Sequence, residues 1–429
     1  MIAPAPVKLN ANQVRGFWAS WAGLALDGMD SFLYALVLVP ALRELLPRSG
    51  VRADEATIGF YGGVLFAVFL VGWGFAFVCG PMADRFGRVR TMILTILCYS
   101  LFTFLGCLAA NVWQLAIFRL LAGVGIGGQW TVGGVFVAEE WPEARRRQGA
   151  GWMHTGYYFG MFLAAMVNYV VGVRYGWRAA FAVGGAPAFL VAFIRYGVTE
   201  SKRWQSRVGQ LGSSWTAGRA FWALFSPEYR RRTIVNTALV LVSMVGLWAG
   251  SVYVPSSVIA LAARDGWAVA DAARLASYAT MLLSTGTILG CLMTPRLAER
   301  LGRRGALRTY FALMLVCIGA GFGYVFYLPH HALWLFIGCL FFLGIGGANF
   351  SVYTLWLPEQ YYTECRGSAF AFATSFGRFV AAGVTFLVGA GVARMHTIGT
   401  PVALTSLAFL AGFALIPLAP ETRGKELPA

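Results

Sequence analysis

Charge is what this chain has least of. Of its 429 residues only 12% are Asp, Glu, Lys or Arg, while 58% are hydrophobic; a soluble domain carries about 25% charged residues. A surface that poor in charge cannot be kept in water, which excludes a soluble globular protein and leaves lipid as the neighbour of most side chains. Cysteine occurs seven times, but no pair has the spacing of a disulfide framework, and no His, Cys or Asp cluster has metal-ligand spacing. No metal and no other cofactor is expected. A nucleophile–base arrangement is also missing, even in HTGYYFG at 154–160, so an integral membrane enzyme would lack its chemistry. GVGIGG at 123–128 has the glycine rhythm of a dinucleotide loop. It lies in an apolar span with no strand before it, and close helix packing explains it better. No cleavable leader is expected, because the first 15 residues are mixed and the first apolar stretch, 16–42, is too long for one.

Long apolar runs are what the chain does have. They fall near 16–42, 57–79, 91–111, 112–138, 148–173, 177–198, 233–262, 272–294, 306–328, 332–357, 367–393 and 400–420. Each is long enough to cross a bilayer, which takes about 20 apolar residues. The expected fold is therefore all-α and integral to the membrane, with twelve transmembrane helices. Lys and Arg in alternate connections divide 23 to 8, with Arg119, Arg195 and Arg378 inside spans. That asymmetry predicts both termini in the cytoplasm. The formal charge of +16 thus reports topology, and a nucleic-acid partner is not expected.

The chain also repeats itself. MADRFGR at 82–88 matches LAERLGR at 297–303, an offset of 215, and GIGG at 125–128 matches GIGG at 344–347, an offset of 219. The second offset aligns Glu140 with Glu359 and Arg147 with Arg366. A duplication of six spans predicts two pseudo-symmetric six-helix halves, 1–198 and 233–429, joined by a cytoplasmic loop at 199–232. Parallel halves with a binding site between them near the bilayer midplane are a recurrent transporter plan.

Here the residues carry a family likeness. GPMADRFGRVR at 80–90 resembles the loop between helices 2 and 3 of the major facilitator superfamily. Arg119-Leu-Leu-Ala-Gly-Val-Gly-Ile-Gly-Gly, PEQYYTECRG at 358–367 and PETRGKELP at 420–428 resemble its sugar-porter and metabolite:proton symporter branches, and TESKRW at 199–204 is similar to the PESPRW of sugar porters. Gly80 and Gly87 permit a tight turn and close helix approach. Asp84 beside Arg85, Arg88 and Arg90 can latch one mouth shut. In the repeat Gly80 becomes Pro295 and Asp84 becomes Glu299, next to Arg300. The likeness implies that Glu140 and Arg147, with Glu359 and Arg366 in the copy, join the same gating network.

Charges inside spans are the strongest functional signal. Asp27 and Asp30 lie in WAGLALDGMDSFLYALVLVP, well inside helix 1. A charge at that depth costs about 2.5–3.5 kcal/mol by insertion scales and is normally paired and functional. At i and i+3 the two carboxylates share a helix face, and burial and mutual repulsion both favour the neutral acid, which suits a proton carrier. The rise of 1.5 Å per residue brings Arg119, on helix 4, to nearly the depth of Asp30. DGMD resembles the Asp-Gly-x-Asp of aromatic-acid:proton symporters and is similar to helix 1 of sialate and lactate:proton symporters. In proton-coupled sugar porters the helix 1 aspartate faces the helix 4 arginine, which makes Asp30 the expected coupling site. Arg378 is the second buried cation. Its planar fork fits a carboxylate, and with no acidic residue of its own half at that depth, substrate is its expected counter-ion.

Weaker cavity candidates are Gln129 and Trp130 in helix 4, His154, Tyr157 and Tyr158 in helix 5, Trp248, Tyr253 and Ser256 in helix 7, and Asn349 and Tyr353 in helix 10. The likeness implies that helices 1, 4, 7 and 10 line the cavity, and His154 is a further candidate proton carrier. The expected protein is a monomeric proton-coupled symporter of a small organic anion, a mono- or aromatic carboxylate, in a bacterial-type inner membrane. A sugar or polyol carrier is the alternative, although helix 7 lacks the paired glutamines expected of sugar porters.

Overall fold

The computed structural model describes the backbone of residues 8–186, 188–211 and 216–428, and nearly all of it is helical. In lipid every backbone polar group must find its partner within the chain, and a helix does this span by span. The first half runs α1 (Ala11–Arg48), α2 (Glu55–Phe75, prolonged through Cys79–Phe86), α3 (Arg88–Gly106), α4 (Val112–Glu140), α5 (Glu143–Val167) and α6 (Arg174–Gly197). The second runs α7 (Arg230–Val252, then Val254–Arg264), α8 (Val269–Arg300), α9 (Gly302–Gly323), α10 (Ala332–Gly347, then Asn349–Trp356), α11 (Arg366–Met395) and α12 (Gly399–Thr405, then Ala408–Leu415). Two short helices, Lys202–Leu211 and Ala217–Ala223, lie in the linker between the halves.

Among the described residues nine rods are long and apolar enough to span a membrane by themselves, and α1 makes a tenth despite a 48° bend between Tyr34 and Leu36. The bend sits about one turn before Pro40, whose missing N–H and ring clash act on the preceding turn. The remaining two rods are α5 and α7. α5 opens on EARRRQ and carries His154, and α7 breaks at Tyr253. Large apolar side chains such as Phe60, Phe189 and Phe386 stand exposed around the outside, as a lipid-facing surface requires.

Within the first half α1 packs on α5 and α4 on both α2 and α3; within the second, α8 packs on α10 and α7 on α11. The halves meet where α5 lies along α8 and α2 along α11. On the linker face the approach is so close that any side chain at Gly80 would collide with the carbonyl oxygen of Gly367.

Candidate functional site

Between the halves lies a cavity of about 40 Å³, room for no more than a few waters. Its wall is aromatic: Trp73 of α2, Trp130 of α4, Tyr157 and Tyr158 of α5, and Phe350 of α10. Besides the tyrosine hydroxyls and indole N–H groups of that wall, three polar side chains line it, Asp27 from α1, His154 from α5 and Arg378 from α11. His154 is enclosed by aromatic rings, its centroid 5.3 Å from Trp130 and 5.9 Å from Tyr158, and its Nδ1 has no hydrogen-bond partner. The guanidinium of Arg378 lies 3.6 Å from the centre of the Trp73 ring, a cation–π seat worth about 0.5–2 kcal/mol. Its Nε has no partner. Asp27 is fully buried, and neither of its carboxylate oxygens has a hydrogen-bond partner among the described residues. Arg378 therefore shares the cavity with an acidic group from the other half of the chain, Asp27.

Arg119 finds its carboxylate within one half, although its Nε, like that of Arg378, has no partner among the described residues. Its Nη1 is 3.4 Å from Asp30 and its Nη2 donates to the Thr103 hydroxyl at 2.7 Å, with both charged side chains wholly buried. The rings of Tyr34 and Phe181 stand 5.3 and 5.2 Å from its guanidinium carbon. Although Asp27 and Asp30 are three residues apart, they serve different neighbourhoods.

On the linker face the repeat builds two buried triads. Arg88 binds Glu139 at 2.8 Å, and Glu139 binds Arg366 of the other half at 2.8 Å. In the counterpart, Arg303 binds Glu359 at 2.5 Å, and Glu359 binds Arg146 of the first half at 3.0 Å. Each triad thus ties the halves together. The sequence repeat had pointed to Glu140 and Arg147, and both are displaced by one position. Glu140 instead accepts from Asn12 and from the Lys202 backbone, while Arg147 lies at the surface against Glu299, at 3.3 Å. The true register there is 220 residues, so the insertion separating the copies is one residue longer than GIGG suggests.

Gly87 and its counterpart Gly302 both turn at positive φ, 109° and 76°, a region open to glycine at little cost. Beyond each turn the exposed N–H groups of the next helix meet a carboxylate. Glu200 receives Arg88 and Val89, and Glu421 receives Arg303 and Arg304. Burial pushes the Glu200 carboxyl above the usual range in spite of those donors. At Glu421 burial acts the same way, but the N–H groups of Arg303, Arg304, Arg423 and Thr422 outweigh it and hold the carboxyl low. The copies differ most at Asp84. It is fully buried, pairs with Arg88 at 2.9 Å, and accepts from the backbone of Gly367 and Ser368 at the start of α11 at 2.9 and 2.7 Å. Among the described residues its counterpart Glu299 pairs with Arg147 alone. Arg85 and Arg300 make no ion pair among the described residues.

The sequence profile of the Major Facilitator Superfamily matches residues 20–385. The chain belongs to the Major Facilitator Superfamily. It is 30% identical over 426 residues to a probable 4-methylmuconolactone transporter of Cupriavidus pinatubonensis, covering 96% of this chain and 91% of that one. To the cis,cis-muconate transport protein of Acinetobacter baylyi it is 26% identical, over 85% and 84% of the two chains. Among solved structures, a proton:xylose symporter superposes with a TM-score of 0.80 at 18% identity, over 97% and 98% of the two chains; at that identity the likeness is one of fold. This chain is accordingly a multi-pass membrane transporter of a small molecule, and no enzyme.

The remaining expected site residues of this major facilitator that the structure describes lie outside the cavity. Tyr353 donates to the Leu239 carbonyl at 2.8 Å and exchanges a hydrogen bond with Ser243, so it fastens α10 to α7. Asn349 donates to the Gly346 carbonyl, and its Oδ1 has no partner. Gln129 accepts from Thr95 and lies against Gly23. Tyr253 marks the break in α7, with Ser256 exposed one turn on, and the side chain of Trp248 lies outside the described residues. Trp73 and Phe350 are the cavity residues that sequence reasoning missed. An aromatic side chain in an apolar span looks the same whether it faces lipid, a neighbouring helix or a cavity. Glu139 and Arg146 were hidden behind equally charged neighbours, whereas Glu200 and Glu421 were visible in the matching TES and PET motifs.

Proposed function

We propose that this transporter is a proton-coupled symporter of a small organic anion, a mono- or aromatic carboxylate, working by alternating access. The observation that carries this is Arg378: a buried cation on an aromatic-walled cavity between the halves, without a salt bridge among the described residues. A guanidinium held in low dielectric attracts a carboxylate strongly and can bind it through two parallel hydrogen bonds, and the ring faces around it suit a planar, conjugated body. Relatives named for muconolactone and muconate support an organic acid as cargo. A neutral sugar would bring no charge to meet the buried Arg378 guanidinium, which a carboxylate does. The acidic residues Asp27 and Asp30, with Arg119, supply the machinery for protons. The closed triads belong to a gate that parts when the halves rock. The excess of Lys and Arg puts the linker face and both termini in the cytoplasm, in a bacterial-type inner membrane. One chain holds the whole cavity, so transport needs no residue of a second copy.

Counterflow in proteoliposomes against a panel of carboxylates, amides and sugars tests this, with and without a pH gradient. The expected result is counterflow of a carboxylate and its uphill accumulation when the outside is acid. Counterflow of sugars alone would overturn the assignment.

A further inference from the structure

Arg119 and Arg378 each face a carboxylate of α1, but only one of these relationships crosses the boundary between the halves. Asp30 and Arg119 both belong to the first half, so a rocking motion carries them together and leaves their pairing unchanged. Asp27 belongs to the first half and Arg378 to the second, and both open on the cavity. Cargo arriving there changes their surroundings directly. We infer that Asp27 is the proton-coupling residue: in the empty carrier it is the stand-in anion for Arg378, and it must take up a proton before a substrate carboxylate can occupy that place. This rests on the organic-anion reading above, and it moves the coupling role from Asp30 to its neighbour.

The driving force is charge balance. With the cavity empty, ionised Asp27 and Arg378 sum to zero. With cargo bound, protonated Asp27, Arg378 and the cargo carboxylate again sum to zero. A proton without cargo leaves the cavity at +1, and cargo without a proton leaves it at −1. An uncompensated charge so far from water costs several kcal/mol, so the half-loaded carriers are rare and do not cross. One proton with one monocarboxylate is then the coupled unit. The proton comes from water on the loading side, bonds to a carboxylate oxygen of Asp27, and returns to water when the anion leaves; no covalent bond in the cargo changes.

The surroundings of Asp27 suit exchange. Its two oxygens lack hydrogen-bond partners, so no protein donor commits it to the charged form. The titratable and charged groups that face it are Asp30 one turn along α1, Tyr99 of α3, Tyr157 with His154 and Tyr158 of α5, and Arg378 of α11. Of these only Arg378 is a permanent cation. Trp73 holds the guanidinium by its face, which leaves the N–H edge free to turn from Asp27 to cargo.

The test is calorimetric titration of the purified full-length protein with benzoate, gallate and cis,cis-muconate, in two buffers of different ionisation enthalpy. Wild type should take up about one proton per benzoate bound, with affinity falling by about tenfold per pH unit once Asp27 ionises. Asp27→Asn should bind benzoate with no proton uptake and an affinity flat with pH. Persistent proton uptake in Asp27→Asn would overturn the inference. Should Asp27→Asn fail to fold, Asp27→Ser asks the same question, and a wild-type proton count of zero overturns the inference without any variant. If none of the three acids binds wild type at any pH, the organic-anion reading itself fails, a result distinct from binding without proton uptake.

Discussion

Arg119 and Arg378 are both arginines buried in membrane helices, and they are satisfied in opposite ways. Arg119 has a carboxylate, a hydroxyl and aromatic faces, all from its own half. Arg378 has one aromatic face and a carboxylate across a cavity, with no salt bridge among the described residues; an unpartnered Nε is common to both arginines there. Burial alone therefore does not mark a functional charge. What separates the two is whether a carboxylate already pairs with the guanidinium, and whether that carboxylate lies in the same half.

The largest effect expected from this contrast is on stability. Removing one partner of a buried pair leaves an uncompensated charge and costs about 3–5 kcal/mol, so Asp30→Ala should lower the unfolding temperature in detergent sharply. Asp27→Asn breaks no hydrogen bond to that carboxylate and should lower it far less. Equal losses in the two variants would erase the distinction between a structural pair and a functional one.

Binding should show the reverse order. Truncating one side of a buried charge pair costs about 2–5 kcal/mol in affinity, much of it from the charge left unpaired. Arg378→Ala should therefore weaken carboxylate binding by well over tenfold, with a smaller loss for the matching amide. Arg378→Lys keeps the charge and loses the fork, and should fall between. Tryptophan quenching would follow all three, with Trp73 and Trp130 both on the cavity. If acid and amide lose affinity equally, Arg378 is a packing residue and the contrast with Arg119 collapses.

These four charges, Asp27, Asp30, Arg119 and Arg378, could be found in the sequence because charge is so rare in an apolar span that each occurrence asks for a reason. The fold was legible for a related cause: lipid allows few solutions, and twelve apolar runs in two copies nearly exhaust them. The cavity wall was not legible. Trp73 and Phe350 obey the same hydrophobic rule as the exposed Phe60 and Phe386, and only three-dimensional placement tells them apart. Nor could spacing separate Glu139 from Glu140 or Arg146 from Arg147. Each pair offers two like charges at a helix end, and which one turns inward depends on helix phase, which a single-residue insertion between the repeats resets.

The smallest expected effect extends the same contrast to the linker face, where the repeat supplies its own control. Asp84 and Glu299 occupy equivalent positions, yet Asp84 is buried and accepts the first free N–H groups of α11, whereas Glu299 is exposed and meets a surface arginine. A carboxylate at a helix N-terminus gains from both the hydrogen bonds and the helix dipole, while an exposed ion pair contributes about 0–1 kcal/mol. Because the Asp84 contacts join α2 to α11 across the halves, they must break whenever this face opens. Asp84→Asn keeps the shape and some acceptor capacity but gives up the charge, so it weakens the closed gate and disturbs the cycle without touching the cavity. Its transport rate in proteoliposomes should fall several-fold while carboxylate affinity stays within about twofold of wild type. Glu299→Gln should change neither by as much. A large loss of equilibrium binding in Asp84→Asn, with the protein still folded, would mean that this carboxylate acts on the cavity after all. An equal slowing in Glu299→Gln would mean that the two halves latch symmetrically, in spite of the burial that separates them.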